Sequence, residues 1–196
     1  MTQTSISPIR TPAAARPSAP EAKATPPVRL RRPTGDDGAT IWTLARDSGK
    51  LDLNSPYAYM MMGHFFPETC VLAEMDNEPV GSVIGFAPPA RPNALFVWQV
   101  AVSEQARGQG LASRMIEHLL WTAPLKGQAR WLEASVTPSN EPSERLFRAI
   151  ARRHGAPCEV APLFEEDAFP SPEEADATFE AERLFRIGPL RQAQAA

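Results

Sequence analysis

Cysteine is scarce in this sequence, which has only Cys70 and Cys158 among its 196 residues. Two cysteines cannot build a disulfide framework, and their spacing lacks the pairing of a zinc ribbon or a redox motif. We therefore expect both to be buried thiols in a reducing compartment. His64, His118 and His154 form no His-Glu-x-x-His motif, and no Gly-x-Ser-x-Gly segment occurs. Metal and serine-hydrolase chemistry are therefore not expected.

Long apolar runs and an excess of positive charge are also missing. No segment approaches the roughly 20 apolar residues that cross a bilayer, and residues 1–20 lack the apolar centre of a secretory signal. The net charge of -3 provides no basic field for nucleic acid or anionic lipid. We expect a cytoplasmic protein with a small-molecule partner, no nucleic acid and no membrane. A length of 196 residues with 43% apolar content suits one domain.

The first 27 residues are rich in proline and alanine. Arg10 and Arg16, with no acidic residue before Glu21, loosely imitate an organellar transit peptide. Such a peptide must form an amphipathic helix, whereas closely spaced prolines remove amide donors and favour an extended, solvated chain. We predict a disordered tail over residues 1–27, a folded domain over 28–190 and a short C-terminal tail over 191–196.

Hydrophobic periodicity and turn residues predict the element order β, α, α, β, β, β, α, β, α, β, β, whose first sheet half is antiparallel. The predicted strands begin at 28 and then span about 69–75, 80–87, 94–102, 129–136, 158–163 and 179–187. Helices are predicted before Gly49, from Pro56 to about Phe66, from Leu111 to about Ala123 and from Asn140 to about His154. Acidic residues 165–176 are predicted to form a loop.

A glycine loop, Gln105–Ala112, connects the predicted strand 94–102 to the next helix. Glycines at 108 and 110 let backbone amides approach a diphosphate, and the helix N-terminus adds partial positive charge. Arg107 could add a full charge or lie in solvent. A tight turn without a ligand fits the spacing as well. A dinucleotide fingerprint fits poorly, because the third glycine is missing and a hairpin precedes the loop.

The loop resembles motif A of the GCN5-related N-acetyltransferase (GNAT) family, Arg/Gln-x-x-Gly-x-Gly/Ala, at Gln105, Gly108 and Gly110. The resemblance implies an α/β (α+β) fold with a mixed sheet of about six to seven strands, splayed at strands 4 and 5 and flanked by about four helices. It also implies acetyl-CoA as cosubstrate. The residues it assigns to the cofactor are Val100, Ala101, Val102, Gln105, Arg107, Gly108, Gln109, Gly110, Leu111, Ala112, Asn140 and Phe147. Asn140 could otherwise be a plain helix cap.

Four further stretches resemble the branch of this family that acetylates L-2,4-diaminobutyrate in ectoine synthesis. They are Leu51–Tyr59, His64–Ala73, Phe96–Val102 and Val136–Asn140, supported by Glu182–Ile187. This resemblance implies acetyl transfer to the side-chain (N4) amine of that diamino acid, and a homodimer. Two alternatives stay open: a GNAT enzyme for another small amine or a peptide amine, and a non-catalytic module that binds acyl-CoA.

The substrate implied by this resemblance carries two ammonium groups and one carboxylate. By the resemblance, Asp52 and Glu182 bind the ammonium groups, and Tyr57 and Trp98 shape the pocket. Each also has a purely structural interpretation. Asp52 could support a turn, Glu182 could be a strand residue facing solvent, Tyr57 could pack in the first turn of a helix, and Trp98 could belong to the core. Relatives often carry a histidine three residues before Glu182, but this chain has Phe179, which can neither titrate nor donate a hydrogen bond.

The mechanism implied is direct attack of a neutral amine on the thioester, without a covalent enzyme intermediate. Asp52 and Glu182 could accept the proton through water if burial or mutual repulsion raises their pKa, whereas tight binding of an ammonium would lower it. We expect the Val100 backbone amide to stabilise the oxyanion. Many family members protonate the leaving thiolate with a tyrosine, but Phe147 occupies that neighbourhood here, so no general acid is assigned.

Overall fold

The computed structural model describes residues 27–49, 51–123, 125, 130–175 and 178–190. The predicted tail over residues 1–27 lies outside these residues except for Pro27, and so do the predicted tail over 191–196 and the predicted start of a strand at Ala129. The strands are β1 (Val28–Arg31), β2 (Val71–Met75), β3 (Glu78–Phe86), β4 (Ala94–Val102), β5 (Trp131–Val136), β6 (Cys158–Phe164) and β7 (Glu182–Ile187). The helices are α1 (Gly38–Ser48), α2 (Pro56–Phe65), α3 (Leu111–Thr122), α4 (Glu141–Arg153) and the single turn α5 (Pro172–Ala175).

Local capping explains where two of the helices begin. The Ser55 hydroxyl accepts a hydrogen bond from the Ala58 amide at 3.4 Å, and Pro56 occupies the first position of α2, where an amide is not needed. Asn140 Oδ1 accepts from the Ser143 amide at 3.2 Å at the start of α4. These contacts confirm the helix starts predicted from the sequence.

The seven strands form one mixed sheet in the order β1-β2-β3-β4-β5-β7-β6. All neighbours are antiparallel except β4 and β5, which run parallel. The β2–β3 hairpin turns at Asp76 and Asn77, which both have positive φ, as a two-residue turn with right-handed twist requires. Because the turn is that tight, β3 already begins at Glu78, two residues before the predicted start.

Strands β4 and β5 separate halfway along their length. β4 pairs with β3 as far as Val102, but its pairing with β5 covers only Ala94–Val97, opposite residues 131–134. The register against β3 shifts between Ile84 and Gly85, which leaves Trp98 as the extra residue of a bulge. From Trp98 onward, β4 therefore runs beside a gap, and the splay implied by the family resemblance is confirmed.

Both faces of the sheet are covered by helices. Helix α3 buries Met115, Ile116 and Leu119 in a core that also contains Phe147 of α4 and Phe185 of β7. On the other face, α1 and α2 contribute a second core whose buried members are Ile41, Leu44, Ala45, Tyr59, Met62, Cys70, Leu72, Ile84 and Ala101. Full burial of a large apolar side chain contributes about 1.5–3 kcal/mol, so these two layers stabilise the sheet from both faces.

Three local predictions need correction. The acidic segment 165–176 is not a plain loop, since Glu166–Ala168 forms a 3-10 turn and α5 follows. Strand β7 begins at Glu182 rather than Phe179, because β6 supplies pairing partners only from that point. Cys158 is half-buried, whereas Cys70 is buried as predicted, and burial raises the pKa of the Cys70 thiol to about 11. Both are free thiols.

In the part of the chain that the structure describes, no helix is long and apolar enough to cross a membrane. The same residues contain no group of three or more side chains that could hold a metal ion.

Candidate active site

A cavity of about 380 Å³ opens beside the splayed end of β4. Its walls come from the end of α1, the unpaired half of β4, the glycine loop and the first turns of α3 and α4. The lining residues are Ser48, Leu51, Val100, Val102, Arg107, Ala112, Asn140, Pro142, Ser143 and Leu146. The cavity therefore runs along backbone that has no partner in β5, and it ends at the glycine loop.

The glycine loop contains two residues with left-handed backbone conformation. Gly108 and Gly110 adopt φ of 75° and 70°, a left-handed region that other residues enter at a cost of about 1 kcal/mol. A Cβ atom built on either glycine would meet nothing within 4 Å, so the space beside the loop is open. Gly110 is also the N-cap of α3, where unpaired amides and the helix dipole favour a negative group.

Side chains of the loop donate hydrogen bonds to nearby backbone carbonyls. Arg107 Nε donates to the Val102 carbonyl at 3.2 Å, and Arg107 also donates to the Ser48 carbonyl at 3.3 Å. Gln109 Nε2 donates to the Gln105 carbonyl at 3.0 Å. The guanidinium therefore ties the loop to the ends of β4 and α1.

Two residues assigned to the cofactor differ in where they lie. Asn140 lines the cavity, and capping α4 uses only its Oδ1, so Nδ2 can still donate to a ligand. Phe147 instead is 3% exposed and packs in the core beside Phe185, with ring centroids 6.4 Å apart. It is on the inward face of α4, and we therefore assign it a packing role.

A second cavity of about 350 Å³ adjoins the first, and the two share Leu51 and Asn140. Three of the four residues predicted to contact substrate line it, namely Asp52, Trp98 and Glu182. Its other lining residues are Asn54, Gln99, Ser135, Val136, Thr137, Ser139, Phe164, Phe169, Phe179 and Glu180. The structure thus gathers side chains from the α1–α2 connection, β4 and β7 at one place.

Tyr57, the fourth predicted substrate residue, does not line this cavity. It occupies the second position of α2 with its side chain 67% exposed. The nearby Tyr59 is fully buried, and its hydroxyl accepts a hydrogen bond from the Asn54 amide at 3.3 Å. Tyr59 therefore supports the segment that carries Asp52, a role that the sequence analysis missed.

The carboxyl group of Glu182 has an unusual environment. Burial raises its pKa above the ordinary value, and the negative charges of Asp52 and Glu180 raise it further, while a hydrogen bond with Ser135 opposes the rise. Its Oε2 atom is buried and has no hydrogen-bond partner among the described residues. A cationic group in the cavity would relieve both penalties, because it supplies a donor and an opposite charge.

Several polar residues of the second cavity were not identified from the sequence. Gln99 Nε2 donates to the Asp52 carbonyl at 2.7 Å. The Ser139 amide and hydroxyl both donate to the Glu180 carboxylate, which lowers its pKa. Gln99 had a visible signal, since it is the one polar residue within the apolar run 94–102. Ser139 and Glu180 had none, because their contact depends on tertiary packing.

An aromatic cluster closes the outer side of the second cavity. Phe169 and Phe179 stack with ring centroids 5.3 Å apart and an interplanar angle of 14°. Phe164 meets Phe169 edge-on at 6.5 Å. Phe179, at the position where the family resemblance implies a histidine, therefore contributes an apolar wall here rather than a titratable group.

Comparison with known proteins agrees with this geometry. Residues 30–151 match the model of the acetyltransferase (GNAT) family. An L-2,4-diaminobutyric acid acetyltransferase from Halalkalibacterium halodurans is 43% identical over 163 residues, covering 83% of this chain and 82% of the relative. One from Marinococcus halophilus is 46% identical, covering 81% of this chain and 88% of the relative.

Solved structures show the same likeness. Diaminobutyrate acetyltransferase EctA from Paenibacillus lautus, solved in complex with its substrate L-2,4-diaminobutyric acid and coenzyme A, is similar with a TM-score of 0.78 and 40% identity. The match covers 87% of this chain and 99% of that one. Ard1 from Thermoplasma volcanium, with a TM-score of 0.62 and 16% identity over 82% of this chain and 97% of its own, shares the fold.

Proposed function

Because the chain belongs to the acetyltransferase (GNAT) family and, within it, to the L-2,4-diaminobutyric acid acetyltransferases, we propose that it acetylates L-2,4-diaminobutyrate. The acetyl group of acetyl-CoA is transferred to the side-chain (N4) amine, giving N4-acetyl-L-2,4-diaminobutyrate in ectoine biosynthesis. The observation that carries this proposal is the pair of adjoining cavities that share Leu51 and Asn140. One cavity ends at an anion-binding loop, and the other contains acidic side chains suited to ammonium groups.

The first cavity suits acetyl-CoA, which supplies the activated acyl group as a thioester. The amides of the loop residues Gly108, Gln109, Gly110, Leu111 and Ala112 would bind the diphosphate, with Gln105 and Arg107 supporting them. The free edge of β4 at Val100, Ala101 and Val102 would pair with the pantetheine arm, and Asn140 Nδ2 would donate to it. The open space beside both glycines supports this assignment, because any side chain there would project towards the diphosphate.

The second cavity suits a short diamino acid. Asp52 and Glu182 would pair with its ammonium groups, and Trp98 offers a ring face on the same wall. The buried, unpartnered Oε2 of Glu182 supports this role most directly. We keep Asp52, Trp98 and Glu182 in the substrate site and leave Tyr57 out, because its side chain projects into solvent.

In the mechanism we propose, the chain orients the amine and manages its proton. Glu182, with its raised pKa, accepts the proton that the ammonium loses before it attacks the thioester carbonyl, directly or through water. Asp52 retains the second ammonium group by charge. The Val100 backbone amide, at the unpaired edge of β4, donates to the oxygen on which negative charge develops. Collapse of this tetrahedral intermediate breaks the C–S bond, and the departing thiolate and the second proton lost by the new amide nitrogen together give free CoA.

We further propose a cytoplasmic homodimer. Helix α2 and the residues around it leave large apolar side chains in solvent, with Met60 47% exposed, Phe65 61% and Phe66 44%. An apolar group of this kind at one surface is typical of a protein interface. Sedimentation equilibrium should give twice the chain mass, and a Phe65→Glu substitution should shift it towards the monomer.

The decisive experiment measures free thiol released from acetyl-CoA by the purified protein with a panel of amines. We expect the highest kcat/KM with L-2,4-diaminobutyrate, ahead of ornithine, lysine and a peptide with a free N-terminus. If another amine is the better substrate, the assignment to the family stands and the assignment of the substrate is wrong. Saturable CoA binding without turnover on any amine would instead indicate a non-catalytic acyl-CoA module.

A further inference from the structure

Gln99 is a buried polar residue in the middle of the apolar strand β4, and only 6% of it is exposed. Its Nε2 donates to the backbone carbonyl of Asp52 at 2.7 Å. A carbonyl oxygen can only accept, so this hydrogen bond fixes which way the amide is turned. Oε1 must therefore face away from the Asp52 segment.

The Oε1 atom of Gln99 is left without a donor. It is buried and has no hydrogen-bond partner among the residues that the structure describes. Gln99 lines the second cavity together with Glu182, whose Oε2 is in the same condition. Leaving one buried acceptor unsatisfied is costly, and two in one cavity indicate a ligand that brings several N–H donors.

Resting on the proposed function, we propose that Gln99 contacts the substrate directly: Oε1 accepts a hydrogen bond from the reacting N4 amine, while Nε2 holds the Asp52 segment. The position of Gln99 favours the reacting amine over the other one. It lies beside Val100 at the edge of the gap, where β4 has already left β5, and it follows the bulge at Trp98.

A neutral acceptor suits this position chemically. An amide oxygen accepts a hydrogen bond from an ammonium and from a neutral amine alike, so Gln99 can orient the nucleophile before and after it loses its proton. A second carboxylate in this place, in addition to Glu182, would increase the negative charge around the ammonium and oppose its deprotonation. Gln99 and Glu182 therefore have different roles. Gln99 orients the amine, and Glu182 pairs with its positive charge or accepts its proton.

Two substitutions test this contact. Gln99→Met keeps the size of the side chain and removes both hydrogen bonds, and we expect the KM for diaminobutyrate to rise about 10- to 100-fold. The CoA Kd and the pH dependence of kcat should stay as in the wild type. Gln99→Glu should lower kcat and move its rise to higher pH, because the added carboxylate holds the amine protonated.

Tyr59→Phe is the matched control for a loosened Asp52 segment, because it removes the hydrogen bond from the Asn54 amide to the Tyr59 hydroxyl, at 3.3 Å, and Tyr59 lines neither cavity. Its effect on KM should be well below that of Gln99→Met. Gln99 does not contact the amine if Gln99→Met leaves KM within twofold of the wild type, if its KM equals that of Tyr59→Phe, or if Gln99→Glu leaves the pH profile of kcat unchanged. These outcomes concern only Gln99 as long as the wild-type protein acetylates diaminobutyrate. If the wild-type protein is inactive on diaminobutyrate, the proposed function itself is wrong.

Discussion

A glutamate at Gly110 should strongly weaken CoA binding, and Gly155 offers a matched site for the control. Both glycines have left-handed φ, 70° for Gly110 and 56° for Gly155, and a Cβ atom at either would meet nothing within 4 Å. Gly110 begins α3 in the glycine loop, whereas Gly155 follows the end of α4 and lines neither cavity. The substitutions Gly110→Glu and Gly155→Glu therefore share the backbone strain and differ in the local surroundings of the charge.

The two effects have separable magnitudes. A side chain in the left-handed region costs about 1 kcal/mol in either variant, which corresponds to a fall in Tm of about 2–4 °C for a domain of this size. At Gly110 the new carboxylate would also lie about 5 Å from a phosphate, where two unit charges at an effective dielectric constant of about 20 repel by about 3 kcal/mol. That repulsion should raise the CoA Kd about a hundredfold.

Isothermal titration of CoA into each variant measures this difference, with thermal unfolding as the check on folding. Gly155→Glu should bind CoA as the wild type does, and Gly110→Ala, which adds strain without charge, should lose only a few-fold. Gly155→Glu should melt somewhat lower than Gly110→Glu, because its carboxylate lies just beyond the C-terminal end of α4, where the helix dipole disfavours negative charge. If Gly110→Glu binds CoA with wild-type affinity, the glycine loop does not hold the diphosphate and the assignment of the first cavity fails.

Three further predictions concern other parts of the chain. Asp52→Ala should raise the KM for diaminobutyrate or lower kcat at least tenfold with CoA affinity unchanged, and a kinetically silent variant would remove Asp52 from the site. The folded state raises the Glu182 pKa above its ordinary 4.5, so the stability contributed by this group is present below about pH 4.5 and lost as the pH rises through the raised value. The Glu182→Gln side chain cannot ionise. Its free energy of unfolding in urea, relative to that of the wild type, should therefore be higher at pH 8 than at pH 4. An equal difference at both pH values would contradict the raised pKa of Glu182. Deleting residues 2–27 should leave thiol release at the wild-type rate, and a loss of activity would show that this segment has a role.

Much of the secondary structure was predictable because its signals are local. Strand β4 spans Ala94–Val102 at both ends as predicted, since a continuous apolar run bounded by turn residues marks a buried strand. Ser55 and Asn140 begin helices by capping the amide three residues ahead. The segment 165–176 was less predictable, because its acidic composition resembles that of a loop while short helical turns form within it.

The candidate site was predictable only in part. Asp52, Trp98 and Glu182 meet in one cavity, although they come from three distant segments. Tyr57 lies close to Asp52 in sequence, but the direction of its side chain depends on its position around helix α2. At that position the side chain projects into solvent. Phe147 is on the buried face of α4 for the same kind of reason. Nearness in sequence says little about which face of a helix a side chain occupies.

By itself, the sequence determined the features that depend on a few neighbouring residues: the caps, the strand and helix order, and the glycine loop at Gly108 and Gly110 that indicates a GNAT acetyltransferase. Tertiary structure alone decided where β4 leaves β5, which segments enclose the gap, and that Gln99 holds the Asp52 segment from 47 residues away. The physical reason is that turns and caps are local backbone conformations, whereas a cavity forms only when distant segments pack against one another.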